Sequence, residues 1–160
     1  MRKKVLNTEK NNLRHKIPIV ALVGRPNVGK SSLFNRLIGK RLAITHEIAG
    51  TTRDSIYHHI EVDSSEAILV DTGGMEYEKK DNIEADMQSQ SRIAINEADL
   101  ILFVLDVSEN LTANDYEAAQ ILRKSGKPIV IIANKFDRAE YEENIPQILS
   151  LGFGDPLRTS

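Results

Sequence analysis

One stretch constrains the fold of this 160-residue chain more than any other: Gly24-Arg25-Pro26-Asn27-Val28-Gly29-Lys30-Ser31. It matches G-x-x-x-x-G-K-[ST], and both of its flanks suit it. Before it, Ile17–Val23 is apolar apart from Pro18 and predicts a buried strand with the proline near its start. After it, Lys30–Ile38 carries Leu33, Phe34, Leu37 and Ile38 on one helical stripe, and Gly39 predicts the stop. A glycine-rich turn from strand to helix cradles phosphate, because backbone N–H groups and the helix N-terminus present positive potential to an anion. Gly24 to Ser31, together with Ser32, are the candidate phosphate-binding residues. Among them Lys30 is placed to reach the outer phosphates and the Ser31 hydroxyl to bind magnesium.

The rest of the chain alternates between strand and helix patterns. Ile56–Val62 and Ala67–Val70 read as short strands around Asp63-Ser64-Ser65, a predicted hairpin. Ile83–Ala98 predicts a helix and Leu100–Leu105 a fully apolar strand. Thr112 suits a helix cap, with Asp115 at the third helical position, Ala118, Ala119, Ile121 and Leu122 on the buried face and Gly126 at the end. Ile129–Ala133 is a third apolar run, Tyr141–Leu151 a weaker helix interrupted by Pro146, and Leu157–Thr159 the start of a last strand. Arg41–Asp54 and Thr72–Asn82 read as loops. Such alternation implies right-handed βαβ units. The predicted class is α/β: a P-loop NTPase three-layer sandwich, its sheet mostly parallel with one antiparallel edge hairpin.

Two further motifs follow the phosphate loop in order. Asp71-Thr72-Gly73-Gly74 comes straight after an apolar run, where an acid at a strand end can hold magnesium through water and Gly74 lets an N–H approach the γ-phosphate. Asn134-Lys135-Phe136-Asp137 ends the third apolar run. Guanine presents N1–H and an N2 amino group, both donors, and the Asp137 carboxylate only accepts, so it takes both and rejects adenine. Asn134 can orient the base and tie loops together, and the Lys135 stem can cover the ring. Between the first two motifs lie Thr51, Thr52 and Arg53; a hydroxyl there, assigned to Thr52, completes magnesium coordination in the triphosphate state and orders its loop. His58 and His59 are adjacent on a strand, face opposite ways and are assigned no chemistry, nor is His46.

Composition narrows the partners. Net charge is −2, but residues 1–16 hold six basic residues and one acid, leaving −7 on the remainder. A domain that acidic is a poor general binder of nucleic acid. The basic stretch reads as a solvated, disordered extension. Cysteine is absent, which excludes disulfides and thiolate metal sites and fits a cytoplasmic setting. No run of eighteen apolar residues predicts a membrane span, and the N-terminus lacks the apolar core of a secretory signal.

With the three motifs in order, the chain resembles the translation-factor-class P-loop GTPases, and within them the bacterial tandem-GTPase family Der, or EngA, at its first G domain. Residues 24–31, Gly50-Thr51-Thr52-Arg53-Asp54, Asp71-Thr72-Gly73-Gly74 and Leu151-Gly152-Phe153-Gly154-Asp155-Pro156 carry the likeness, which runs from about Ile17 to Ser160. It implies a G domain over 17–160 and leaves the basic extension over 1–16, read from charge alone, as an addition before it. It also implies GTP and GDP as ligands with Mg2+, hydrolysis of GTP to GDP and phosphate, and a switch role in large-subunit ribosome assembly with ribosome or ribosomal RNA as partner. By position it assigns Lys30, Thr52 and Gly74 to catalysis, Ser31, Thr52 and Asp71 to magnesium, Asp71 and Gly74 to the γ-phosphate side with Thr72 and Gly73 between them as nucleotide-binding residues, and Asn134, Lys135 and Asp137 to guanine. Many relatives carry glutamine after Asp-x-x-Gly; Met75 stands here, which implies slow turnover. Similar GTPases hold potassium with an asparagine at the Asn27 position. The family pattern continues past Ser160 with Ser-Ala, a closing helix, a second G domain and an RNA-binding-like domain, so a truncated G domain with one flank of its sheet uncovered is expected. The alternatives are an Era-like or metal-transport GTPase, a P-loop kinase or ATPase, which the Asn134–Asp137 motif opposes, and a nucleotide-binding fragment that does not hydrolyse.

Overall fold

The computed structural model describes residues 16–39, 57–72 and 91–160. In chain order these form β1 (Ile19–Val23), α1 (Lys30–Gly39), β2 (Tyr57–Val62), β3 (Ser65–Asp71), a helix α2 described over 91–97, β4 (Leu100–Asp106), α3 (Ala113–Ser125), β5 (Ile129–Asn134), α4 (Ile145–Leu149) and β6 (Leu157–Arg158). The strands make one six-stranded sheet in the order β2-β3-β1-β4-β5-β6. Every pairing is parallel except β2 with β3. The predicted sheet, with its antiparallel pair at one edge, is the observed one.

Local chemistry explains the elements. In the β2–β3 turn Asp63 and Ser64 have φ of 47° and 67°, the pair of left-handed residues that a two-residue type I′ hairpin turn needs. Ser65 already belongs to β3, so the turn is one residue shorter than the sequence suggests. At α3 the Thr112 hydroxyl accepts from the Asp115 N–H while the Asp115 carboxylate accepts from the Thr112 N–H, a complete capping box. Gly126 closes that helix in the left-handed region, φ 67°. The predicted helix over Tyr141–Leu151 needs correction: a 3₁₀ segment, Ala139–Asn144, leads into a short α4. Pro146 does not interrupt that helix. It lies in its first turn, where its missing N–H has no partner to lose.

The helices cover the sheet in two layers. Phe34, Leu33, Leu37 and Ile38 of α1 pack on Leu22, Ile60 and Leu69. On the opposite face α2 and α3 bring Ala94, Ile95, Ala119 and Leu122 onto Ala21, Phe103, Leu105 and Ile131, joined by Ile145, Ile148 and Leu151. β1 lies between β3, reached through α1 and β2, and β4, reached through α2. The chain thus turns to opposite sides of β1, and such a switch point opens a crevice at the carboxyl ends of the strands. Gly24, Asp71, Asp106, Asn134 and Thr159 all stand at or just past those ends. No helix among the described residues is long and apolar enough to cross a membrane.

Candidate nucleotide-binding site

The loop between β1 and α1 is fixed from below by packing. Val28 is fully buried and clusters with Val104 and Ile132. Gly24 lies so close to β4 that a β-carbon there would stand 2.4 Å from the Val104 carbonyl oxygen. At Gly29 φ is 97°, and a β-carbon would stand 2.2 Å from Asn134 Nδ2. The two motif glycines are therefore required by two different neighbours, one a strand backbone and the other the carboxamide of a second motif.

That carboxamide joins the motifs. Asn134 is buried; its Nδ2 donates to the Val28 carbonyl at 2.9 Å, and its Oδ1 accepts from the Thr159 hydroxyl at 2.9 Å. In a trans peptide the N–H points away from the C=O. Holding the Val28 carbonyl from the β5 side therefore aims the Gly29 N–H to the other side. Thr159 is itself pinned, its N–H donating to the Ala133 carbonyl at 3.0 Å and its carbonyl accepting from the Phe136 N–H at 2.8 Å. Arg158 just before it forms a two-pronged bond with Glu142, at 2.6 and 3.2 Å. The Leu151–Pro156 turn that leads there is locked by Phe153, edge-on to Phe103, and by Arg123, which lies over the Phe153 ring and donates to the Leu151 carbonyl at 2.6 Å.

The cations of the site are committed to the loop or its supports. Lys30 is buried, and its Nζ donates to the carbonyls of Gly24 and Arg25. Lys135 donates from Nζ to the Asn27 carbonyl at 2.8 Å and to Asp106 Oδ2 at 2.6 Å. The Arg25 side chain turns to α3, pairing with Glu109 at 2.9 Å and Asp115 at 3.3 Å. Burial pulls the Arg25 pKa down, but its bonds to Glu109 and Asp115 outweigh that and the net shift is upward. Ser31 and Ser32 are exposed in the first turn of α1, which contains no acid to oppose an anion. Asp71 is buried at the end of β3, and Thr72 beside it donates its hydroxyl to the Leu22 carbonyl at 2.7 Å, tying β3 to β1. Pro26, Asn27 and Asp137 are exposed. Thr51, Thr52, Arg53, Gly73, Gly74, Met75 and His46 lie outside the described residues.

The structure thus brings Gly24–Ser32, Asp71, Thr72, Asn134 and Lys135 to one end of the sheet. It adds residues that no motif named. Asp106 had a legible signal, since it follows the Leu100–Leu105 run as Asp71 follows its own. Asp115 was read only as a cap, and its contact with Arg25 crosses 90 positions. Nothing in the sequence pattern marked Thr159 or Glu109.

Strand order, phosphate loop and bridging asparagine define a P-loop nucleotide-binding domain. The sequence model of the 50S ribosome-binding GTPase family matches residues 19–135, and the chain belongs to that family. It is 52% identical over 143 residues to GTPase Der of Clostridium perfringens and 51% identical to GTPase Der of Clostridium tetani. Each match covers 89% of this chain, which spans about a third (33%) of the length of these curated relatives. Among solved structures it is similar to Era in complex with MgGDPNP and a segment of 16S ribosomal RNA, with TM-score 0.67, 28% identity and coverage of 90% of this chain and 51% of that one. A variant of Aquifex aeolicus Era bound to GDP.AlF4- aligns with TM-score 0.65 and 31% identity, over 90% of this chain and 51% of that one. The likeness to Der read from the sequence motifs stands.

Proposed function

We propose that this chain binds GTP and GDP with magnesium, hydrolyses GTP slowly to GDP and phosphate, and serves as the switch domain of a longer protein acting in assembly of the large ribosomal subunit. The observation that carries the nucleotide reading is the Asn134 bridge: a side chain of the base-side motif is built into the wall of the phosphate loop. Asp137, exposed three residues on, is the acceptor for guanine N1–H and the N2 amino group. Adenine offers an acceptor at N1 and would meet a carboxylate with no proton between them, which disfavours an ATP-using kinase.

Among the described residues no group of three or more His, Cys, Asp or Glu side chains is placed to hold a metal. Magnesium needs no such cage, since it binds through one or two protein oxygens together with phosphates. The Ser31 hydroxyl and the Asp71 carboxylate at the crevice are hard oxygen donors of that kind, with Thr52 as the third ligand assigned by resemblance. When bound, the ion neutralises charge on the phosphate oxygens. The chain's own part is to bind and hold the transferring group. Lys30 exchanges a carbonyl partner for an outer phosphate oxygen, and preset N–H groups of the loop, with Gly74 on the γ side, stabilise charge as water attacks in line. Asn27 is the proposed potassium contact, and a faster rate in potassium than in sodium chloride is the expected sign. The large-subunit role is supported by the family's description and by the Der relatives, and contact with ribosomal RNA by the Era neighbour bound to 16S ribosomal RNA.

Calorimetric titration of the 160-residue chain with GDP in magnesium and potassium chloride, with ADP as control, tests the reading. Binding of GDP and not ADP supports it. Equal binding of both removes the guanine assignment, and binding of neither removes the nucleotide reading for this chain.

A further inference from the structure

The stretch from the end of β4 into α3 carries no nucleotide motif, yet two cations of the site, Lys135 and Arg25, end on its carboxylates. Asp106, the last residue of β4, is only 4% exposed. Its Oδ2 accepts from Lys135 Nζ at 2.6 Å, and its Oδ1 accepts from the Ser108 N–H at 3.0 Å and the Ser108 hydroxyl at 2.5 Å. A carboxylate so buried is tolerated only with its charge matched and both oxygens satisfied, and Lys135 and Ser108 do both. Asp106 pairs in register with Asn134, so the acid is set one strand over from the lysine's own neighbour. Lys135 has φ 62°, a left-handed conformation that directs the chain out of β5. Its Nζ also donates to the Asn27 carbonyl at 2.8 Å, and Asn27 is left-handed too, with φ 67°.

This chain of contacts has a directional consequence. Because the Asn27–Val28 peptide is trans, a grip on the Asn27 carbonyl sets the Val28 N–H on the opposite side. The ammonium of a long, half-exposed lysine would otherwise sample many rotamers and hold that carbonyl only part of the time. We infer that Asp106 is a positioning residue for nucleotide binding, its carboxylate fixing the Lys135 ammonium on the Asn27 carbonyl and thereby tying the base-side loop to the phosphate loop. The inference rests on the guanine-nucleotide reading above. It assigns Lys135 a second task besides the base, and gives the β4 end a part in the site.

The test is a double-mutant cycle on the full chain, read by GDP affinity with magnesium: wild type, Asp106→Asn, Lys135→Met and the double variant. Positioning through Lys135 predicts that Asp106→Asn weakens GDP about tenfold or more in the native background and less than about twofold when Lys135 is already Met. A merely structural aspartate would weaken GDP equally in both backgrounds, and that result overturns the inference, as does unchanged affinity of Asp106→Asn. No GDP binding by the wild type would instead overturn the guanine-nucleotide reading on which the inference stands. Should a variant not fold, the wild-type chain decides alone. A Lys135 ammonium resonance with slowly exchanging protons is expected by NMR, and its absence overturns the grip.

Discussion

Gly29→Ala probes the junction of the two motifs, and its cost can be worked from two separate terms. The backbone at Gly29 has φ 97°, where a residue with a β-carbon is strained by about 1–2 kcal/mol. The added carbon would lie 2.2 Å from Asn134 Nδ2, so the carboxamide must leave the Val28 carbonyl it now holds at 2.9 Å. Stranding that buried acceptor costs about 1–3 kcal/mol. The sum is about 2–5 kcal/mol against a typical domain stability of about 5–15 kcal/mol, so the variant folds but with a clear loss. Urea denaturation without nucleotide measures it, the midpoint falling at constant slope. The sharper expectation is non-additivity. With Asn134→Ala already present the clash is gone, and Gly29→Ala should then cost only the backbone strain, about 1–2 kcal/mol. Equal costs in the two backgrounds would refute the argument that the carboxamide is what demands glycine at this position.

Three other outcomes follow from local geometry. Ser64→Gly should stabilise the chain by up to about 1 kcal/mol in the same assay, because Ser64 sits at φ 67° in a turn that favours glycine there. Asp115→Ala should cost about 1 kcal/mol or more through the lost capping box, and it should also weaken GDP binding because Arg25 of the phosphate loop loses a partner. Asp106 is subject to burial, which raises its pKa, but hydrogen bonds from Lys135 and Ser108 outweigh this and leave it below its ordinary value. Its charge therefore stabilises the fold fully above the ordinary aspartate range, about pH 4, and that contribution disappears as pH falls through the depressed folded value. Acid unfolding curves of wild type and Asp106→Asn should run parallel near neutrality and converge below that range.

Periodicity made most of the fold legible. The apolar runs ending at Val23, Leu105 and Ala133 are central parallel strands because nothing but a sheet covered on both faces suits such runs. Thr112, Asp115 and Gly126 announced both ends of α3, since capping is chemistry between near neighbours in sequence. Pro146 misled because proline breaks a helix interior but suits a first turn, and only the 3₁₀ segment before it decides which it meets. At the site, the residues proposed to face a ligand could be named in advance because the chemistry of phosphate and guanine restricts the side chains that suit them. Their supports could not. The Arg25–Asp115 and Lys135–Asp106 pairs and the Thr159–Asn134 bond depend on which strand ends become neighbours, and the sheet order alone supplies that.

If Asp137 reads guanine, its preference should follow a change of base. Xanthine keeps the N1–H donor of guanine but replaces the N2 amino group by a carbonyl acceptor. An amide in place of the Asp137 carboxylate accepts from N1–H and donates to that carbonyl. Affinities of GDP and xanthosine diphosphate should be measured for the wild-type chain and for Asp137→Asn. The wild type should prefer GDP and the variant xanthosine diphosphate, with discrimination of about 10⁴-fold within reach where a polar partner is left unpaired. Unchanged preference for GDP in Asp137→Asn would contradict the guanine assignment.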